Sequence, residues 1–164
     1  MVLYEVDSNS ILVQEMRNRT SGEMVSAYNA LVARLKLAGF EPKLHLLDNE
    51  CSQEYKDAIT KNDMVYQLVP SHDHRRNVAE KAIQTFKDHF VTVLCGTDAK
   101  FPMQLWCRIL RQAENQLNLL RRSRVDPSKS TFEVLYGKHN YNQNPWAPLG
   151  CAVKLHVTPN KRKT

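Results

Sequence analysis

Two acidic residues stand where metal-dependent chemistry on a phosphate could take place. Asp48 directly follows the apolar run LHLL, which predicts a strand, and Glu80 lies 32 positions later, in the first turn of a predicted helix. Phosphoryl transfer with bound Mg²⁺ or Mn²⁺ needs carboxylates that converge at one end of a sheet, because hard divalent ions prefer oxygen ligands. Ligand sites in open sheets gather beyond the carboxyl ends of the strands. The alternative is that Asp48 caps a turn or helix and Glu80 complements the helix dipole, and spacing alone favours these structural roles.

Two further polar residues share the predicted helix face of Glu80. Gln84 and Lys87 follow Glu80 by one and two helical turns, so both can reach a phosphate-bearing ligand beside the carboxylates. A lysine on an open helix face is more commonly only solvated, and that alternative stays open for Lys87.

A polar loop without periodicity, from residue 71 to 76, precedes this helix, which opens near Asn77. Its arginines, Arg75 and Arg76, suit phosphate, and together with Asn77 they are candidate contacts to a phosphate-bearing ligand. The pair His72 and His74 could bind zinc, but no third or fourth ligand accompanies it.

Hydrophobic periodicity predicts the elements that position these residues. A β-hairpin (2–6 and 10–16) is followed by a helix that a capping box, Thr20 to Glu23, begins and Gly39 ends. The next predicted elements are a strand (44–47), a short helix (52–60), a strand (64–69) and two long helices (77–95 and from Pro102 to about 122). Helical crossovers make neighbouring strands parallel. The fold class is therefore α/β, a mixed sheet flanked by helices.

The positive charge is concentrated in the second half of the chain. The net charge is +6, but residues 1–70 carry 7 basic and 10 acidic side chains, whereas residues 71–164 carry 16 and 7. A basic half suits a polyanionic partner such as DNA, because each phosphate contact releases counterions. On charge alone, an ordinary solvated surface is at least as good an explanation.

Composition excludes several classes of protein. No stretch approaches the roughly 18 to 20 apolar residues that cross a bilayer, and no secretory signal opens the chain. The four cysteines are far apart and include no CxxC pair, which argues against a disulfide framework or a zinc knuckle. We expect an intracellular protein with reduced thiols and no membrane partner.

Three stretches carry a resemblance to a known family: LLDNECSQEYKDAI around Asp48, HDHRRNVAEKAIQTFKDHF around Glu80, and FPMQLWCRILRQAENQLNLLRRSR. In this order they resemble the integrase core domain of long-terminal-repeat retrotransposons, especially copia-type elements, in the ribonuclease-H-like superfamily. The resemblance implies that Asp48 is the second catalytic aspartate and Glu80 the catalytic glutamate, both ligands of Mg²⁺ or Mn²⁺. It also implies DNA as substrate, a homo-oligomeric parent protein, and nuclear function.

The chain departs from this family at its beginning. The first family aspartate belongs on a strand before the hairpin, and that strand is expected to be missing here. Asp7 is the nearest acid, but it lies at the hairpin tip, which should point away from Asp48, so we assign Asp7 to the turn. We expect a catalytic core that lacks its first strand in residues 1–125, and in residues 126–164 an irregular connector toward a small β-domain.

Three functions compete at this point. The first is a polynucleotidyl transferase that processes and joins DNA 3′ ends. The second is a catalytically inactive, nucleic-acid-binding remnant of such an element, since two carboxylates hold two metal ions poorly. The third is an interaction module with a basic surface and no role on DNA.

Overall fold

The computed structural model describes residues 1–47, 51–69, 78–149, 151 and 154. These ranges form a mixed α/β structure of four short strands, five α-helices and one long 3₁₀ segment, Met103–Ile109. None of the helices in these ranges is long and apolar enough to cross a membrane. The strands are β1 (Val2–Glu5), β2 (Ser10–Val13), β3 (Leu44–Leu47) and β4 (Val65–Leu68), and the helices are α1 (Ser21–Leu37), α2 (Gln53–Lys61), α3 (Val78–Cys95), α4 (Leu110–Leu120) and α5 (Thr131–Tyr136).

Strands β1 and β2 form the predicted antiparallel hairpin, in the register Val2↔Val13 to Glu5↔Ser10. In the turn, the Glu5 carboxylate accepts hydrogen bonds from the backbone N–H groups of Asp7 (2.9 Å) and Ser8 (2.6 Å). Asn9 takes a left-handed conformation with φ 63°, which asparagine tolerates better than most residues. Asp7 therefore lies in the turn, as the sequence predicted.

Helix α1 covers one face of this hairpin. Its buried residues recur at helical spacing, and its end is marked by Gly39 with φ 85°, as predicted. The predicted capping box is wrong, because Thr20 is the N-cap residue but its side chain makes no capping bond. Glu23 instead accepts a long bond, 3.4 Å, from the backbone N–H of Arg17. The buried residues of α1 are Ala27, Tyr28, Leu31, Val32 and Leu35.

The unit β3–α2–β4 is a parallel pair joined by a helical crossover. The Ser52 side chain caps α2 by accepting from the backbone N–H of Tyr55 (3.3 Å), and Tyr55 and Ile59 point inward. The strands pair in the register Leu44↔Val65 to Leu47↔Leu68. The single mixed sheet that the sequence predicted is replaced by two separate two-stranded sheets among the described residues.

Helices α3 and α4 cover the other face of the hairpin. Ala82 and Phe86 of α3 and Ala113 and Leu117 of α4 pack with Ile11 of β2. The last long helix differs from the prediction, since its first seven residues are the 3₁₀ segment. Trp106 of this segment is 49% exposed and contacts Phe90 edge-on with ring centroids 6.2 Å apart.

The outer edge of β2 is closed by side chains of α4 and α1. The Asn118 side chain accepts from the Ile11 N–H (3.1 Å) and donates to the Ile11 carbonyl (2.9 Å). The Val13 N–H donates to Glu114 Oε2 (2.7 Å), and its carbonyl accepts from Arg34 Nη1 (3.2 Å). Asn118 and Glu114 are fully buried, so they occupy the place of a neighbouring strand.

The segment after residue 126 contains a helix where the sequence predicted irregular chain. Ser130 caps α5 by accepting from the Glu133 N–H (3.1 Å), a Ser-x-x-Glu pattern that could have revealed this helix. Leu135 is buried against the α1 side of the hairpin. Beyond α5, the rings of His139 and Trp146 stack at 5.4 Å.

Candidate nucleic-acid interface

Helix α3 carries the described part of the predicted site. Glu80, in its first turn, is exposed, and Gln84 and Lys87 are exposed on the same side. Ala82 and Phe86 occupy the opposite side and pack onto the hairpin and α4. The packing of α3 therefore leaves Glu80, Gln84 and Lys87 together on one open face, which is the arrangement that a DNA-contacting face needs.

This open face of α3 carries both signs of charge. Gln84 donates from its amide nitrogen to Asp88 Oδ1 (2.7 Å), one turn further along the helix. Lys87 forms no ion pair with any residue that the structure describes. Lys87 is accordingly a cation on this face that is available to a phosphate, whereas binding through Gln84 requires its amide to leave Asp88.

The partner carboxylate and the loop residues lie outside the described residues. Asp48, Arg75, Arg76 and Asn77 belong to this group, and so do the histidines of the His-x-His pair. The distance between Asp48 and Glu80, and the loop contacts with DNA, therefore stay predictions.

The described parts of β3 and β4 bring the relevant chain segments to one end of the sheet. Because the two strands are parallel, both carboxyl ends lie at the same edge, and the Val69 N–H donates to the Leu47 carbonyl (2.8 Å). Leu47 directly precedes Asp48, and Val69 leads toward the segment before α3. This is the edge at which open α/β sheets collect ligands.

Part of the positive charge of the second half has a structural use. Arg121 donates to the Asn9 carbonyl (3.0 Å) and side chain, and the Arg124 guanidinium lies 5.9 Å from the Tyr4 ring centroid. Both arginines therefore hold the hairpin against the end of α4. Arg122 and Lys129 instead line an open surface cavity of about 410 Å³.

Within the described ranges, no three His, Cys, Asp or Glu side chains are grouped as metal ligands. On the open face of α3, Glu80 is accompanied by Asp88, two turns away, whose carboxylate is engaged by Gln84. A divalent-ion site built on Glu80 therefore requires an acid from another segment, and Asp48 is the one that the sequence nominates.

The sequence did not predict the contacts of two polar residues of α4, Glu114 and Asn118. Glu114 pairs with Arg34 and with Arg111 (3.3 Å) while it binds β2. The signal was available in the sequence, since both residues border the apolar row of Ala113 and Leu117 at a spacing of one helical turn. Their contacts are structural, and neither lies on the open face of α3.

Known proteins resemble this chain in fold rather than in sequence. No family model matches the sequence, and no curated protein matches it. Among solved structures, the fold is similar to a chain in the cryoEM structure of the simian T-cell lymphotropic virus intasome in complex with PP2A regulatory subunit B56 gamma, with a TM-score of 0.61 and 18% identity. The match covers 96% of this chain and 52% of that chain, so this chain spans about half the length of its structural neighbour. At this level of identity, the likeness establishes a shared fold with a component of a viral integration complex.

Proposed function

We propose that this chain is the ribonuclease-H-like catalytic core of a retroelement integrase of the copia type, which processes and joins DNA 3′ ends. The observation that carries the proposal is the fold likeness to an intasome chain over 96% of the sequence. It is supported by helix α3, which presents Glu80, Gln84 and Lys87 on one open face.

In the proposed mechanism, Asp48 and Glu80 would hold Mg²⁺ or Mn²⁺, with Glu80 carried on the first turn of α3. The bound ions would neutralise charge on the phosphate under attack and polarise the attacking oxygen. Lys87 binds a DNA phosphate, and Arg75 and Arg76 add cationic contacts beside Asn77. These residues position the DNA, and the attacking group is water in end processing and a DNA 3′-hydroxyl in joining.

The proposal extends to partners and location. DNA is both the donor end and the target, and several copies of the full parent protein assemble on it. Such work on chromosomal DNA takes place in the nucleus.

Metal binding provides a test that does not depend on turnover. Mn²⁺ added to the isotope-labelled chain should broaden the amide resonances of residues 79–84, since a paramagnetic ion relaxes nearby nuclei. Asp48→Asn and Glu80→Gln should each abolish this broadening, whereas Asp88→Asn, a matched change two turns along α3, should leave it intact. Broadening that persists in the double variant Asp48→Asn/Glu80→Gln would overturn the site.

DNA binding gives the second test. Fluorescence anisotropy with a labelled 20-base-pair duplex should show affinity that falls steeply between 50 and 200 mM salt, by about 10³-fold or more if six phosphates are contacted. Lys87→Ala should weaken binding for every sequence, whereas Lys61→Ala, an exposed lysine of α2, should not. Affinity that is indifferent to salt would favour an interaction module without a role on DNA.

Strand transfer separates the catalytic core from an inactive remnant. We expect the chain alone to be silent in joining a 3′-processed oligonucleotide to plasmid DNA in Mn²⁺. Joining should appear in a version extended by the missing strand with its aspartate, and it should be lost again with Glu80→Gln. Salt-sensitive DNA binding without Mn²⁺ broadening and without joining would identify the chain as a nucleic-acid-binding remnant, because two carboxylates alone bind two ions poorly.

A further inference from the structure

The connection between α4 and α5 folds into a short antiparallel ladder. Two backbone hydrogen bonds, of 3.1 and 2.9 Å, join residues 121–123 to residues 129–131. Arg122 lies directly opposite Ser130 in this ladder. Opposed residues of an antiparallel pair extend their side chains from the same face, so these two side chains are neighbours. Both residues line the open cavity of about 410 Å³ described above.

The lining of this cavity is cationic. Three of its eight lining residues, Arg121, Arg122 and Lys129, are basic, and none is acidic. Arg121 is bonded to Asn9, and the Lys129 ammonium lies 2.9 Å from Asp126 Oδ2. The Arg122 side chain forms no hydrogen bond or ion pair with any residue in the described ranges. Arg122 therefore brings an uncompensated positive charge to the cavity.

The two walls of the cavity are held in place by contacts outside it. The Arg122 carbonyl accepts a hydrogen bond from Asn9 Nδ2 (2.9 Å) in the hairpin turn. In the segment that forms the other wall, Asp126 accepts from the hydroxyl (2.5 Å) and the backbone N–H (3.1 Å) of Ser128. The hydrogen bonds from Ser128 and Lys129 lower the pKa of Asp126 to about 2, so this carboxylate stays ionised within its own turn. The cavity is therefore preorganised, which reduces the entropy cost of binding a ligand.

The hydrogen-bond donors at the cavity match a phosphate group. The Arg122 guanidinium is a planar fork of N–H groups, which binds two phosphate oxygens at once. The Ser130 hydroxyl accepts from the Glu133 N–H (3.1 Å), so its own proton is left to donate to a ligand. The Lys129 ammonium has three N–H donors, of which Asp126 uses one. An anion in the cavity would meet these donors and no carboxylate among the lining residues.

The cavity is larger than a phosphate group alone needs. Its volume of about 410 Å³ lies in the range of small-molecule sites, about 300–1,000 Å³. Leu119, Leu120 and Pro127 contribute apolar lining, and Leu120 is 77% exposed. The base of a nucleotide is a flat group that can pack on such side chains while its phosphate meets the donors.

We propose that this cavity binds the phosphate group of a nucleotide, either free or within a nucleic-acid strand. A phosphopeptide fits less well, because it also needs main-chain partners, and the outward carbonyl of Arg122 is already bonded by Asn9. The excess of basic residues in the second half of the chain likewise favours a polyanion. The site uses no residue of α3, β3 or β4, so it does not depend on the function proposed above.

Amide chemical shifts of the full, isotope-labelled chain test the site. EDTA is present, so that no divalent ion can carry a phosphate to Glu80. Thymidine 5′-monophosphate and hexathymidylate should each shift the amide resonances of Arg122, Lys129 and Ser130. Thymidine, and hexathymidylate with uncharged methylphosphonate linkages, should not, because both keep the base and lose the phosphate charge. Binding of the strand that is tighter than that of the mononucleotide by about tenfold or more assigns the site to nucleic acid, and equal affinities assign it to a free nucleotide.

A matched pair of variants locates the binding. Arg122→Gln should weaken the affinity for both ligands by about tenfold or more, because it removes the charge-assisted hydrogen bonds. Arg19→Gln, the same change at another exposed arginine, should leave the affinity unchanged. Neither change alters a backbone bond of the ladder, so both variants should keep the parent spectrum at residues away from the substitution.

Several outcomes would overturn the proposal. It fails if neither nucleotide ligand shifts the three amides, if the methylphosphonate strand shifts them equally, or if Arg122→Gln binds as tightly as the parent. A phosphoserine hexapeptide that binds more tightly than both nucleotide ligands would assign the cavity to a peptide and overturn it as well. Shifts confined to α3 would also overturn it, while they would leave the function proposed above intact.

Discussion

Replacing Asn118 by leucine should reveal how much the closed edge of β2 contributes to stability. Asn118 is fully buried and makes two hydrogen bonds to Ile11, at 3.1 and 2.9 Å. Leucine has the same branched skeleton but neither donor nor acceptor, so the N–H and C=O of Ile11 would both be left unpaired where Ile11 is 0% exposed. Each unpaired buried group costs about 1–3 kcal/mol, and the added apolar burial offsets about 1 kcal/mol. We expect a net loss of about 3 kcal/mol.

Urea denaturation followed by circular dichroism measures this loss directly. The midpoint should fall for Asn118→Leu while the denaturant slope stays constant, which indicates a change in stability rather than in the surface exposed on unfolding. Gln116→Leu, a half-buried change on the same helix without a hydrogen bond to β2, should stay within about 0.5 kcal/mol of the parent. A loss below about 1 kcal/mol for Asn118→Leu would refute the assumption that both Ile11 backbone groups stay unpaired, because it would mean that they form other hydrogen bonds.

Three further perturbations follow from the same contacts. Burial between Tyr28 and Tyr55 lowers the pKa of His45 to about 4, so the folded state binds fewer protons than the unfolded state. The free energy of unfolding should therefore fall by up to about 3 kcal/mol as the pH drops from about 6.5 toward 4. His45→Phe should remove this part of the slope in urea titrations at pH 7 and 4.5, and an unchanged slope would assign it to other groups. Glu114→Gln should lower the free energy of unfolding, measured by heat or urea, by about 3–5 kcal/mol, because it leaves the Arg34 guanidinium without its carboxylate. A loss near zero would mean that the hydrogen bond to the Tyr136 hydroxyl is enough to stabilise the buried guanidinium. Ser130→Ala should cost about 1 kcal/mol by removing the cap of α5, whereas Ser128→Ala, in the preceding turn, serves as the comparison.

Local patterns in the sequence predicted the elements well because each is set by short-range chemistry. The hairpin follows from β-branched runs around a turn, and α2 follows from the Ser52 cap and the inward spacing of Tyr55 and Ile59. The parallel pairing of β3 and β4 follows from the helical connection between them. The open face of α3 with Gln84 and Lys87 could likewise be predicted from periodicity alone.

Tertiary contacts decided the features that the sequence did not predict. Periodicity gives the buried side of a helix but not which strand lies against it, so the division into two sheets could not be foreseen. Trp106 is large and apolar, which favours a core position, yet it is exposed because it lies in a 3₁₀ segment whose turn differs from the α-helical one. The sequence places Glu114 and Asn118 beside the apolar row of α4, but only the position of β2 shows what they bond to. The pairing of Asp48 with Glu80 stays a prediction.

The closure of β2 by residues from α4 has a consequence for synthesis on the ribosome. The backbone N–H groups of Ile11 and Val13 donate to side chains that lie 107 and 101 residues later in the chain. At a typical elongation rate of about 5–20 residues per second, about 5 to 20 seconds pass between the synthesis of Ile11 and that of Asn118. During that interval the nascent chain presents apolar strand edges on both sides, which are templates for pairing with other polypeptides. A chain that ends just before Glu114 would keep both strand edges unpaired. We therefore expect chaperone association to persist in ribosome-bound chains that end before Glu114.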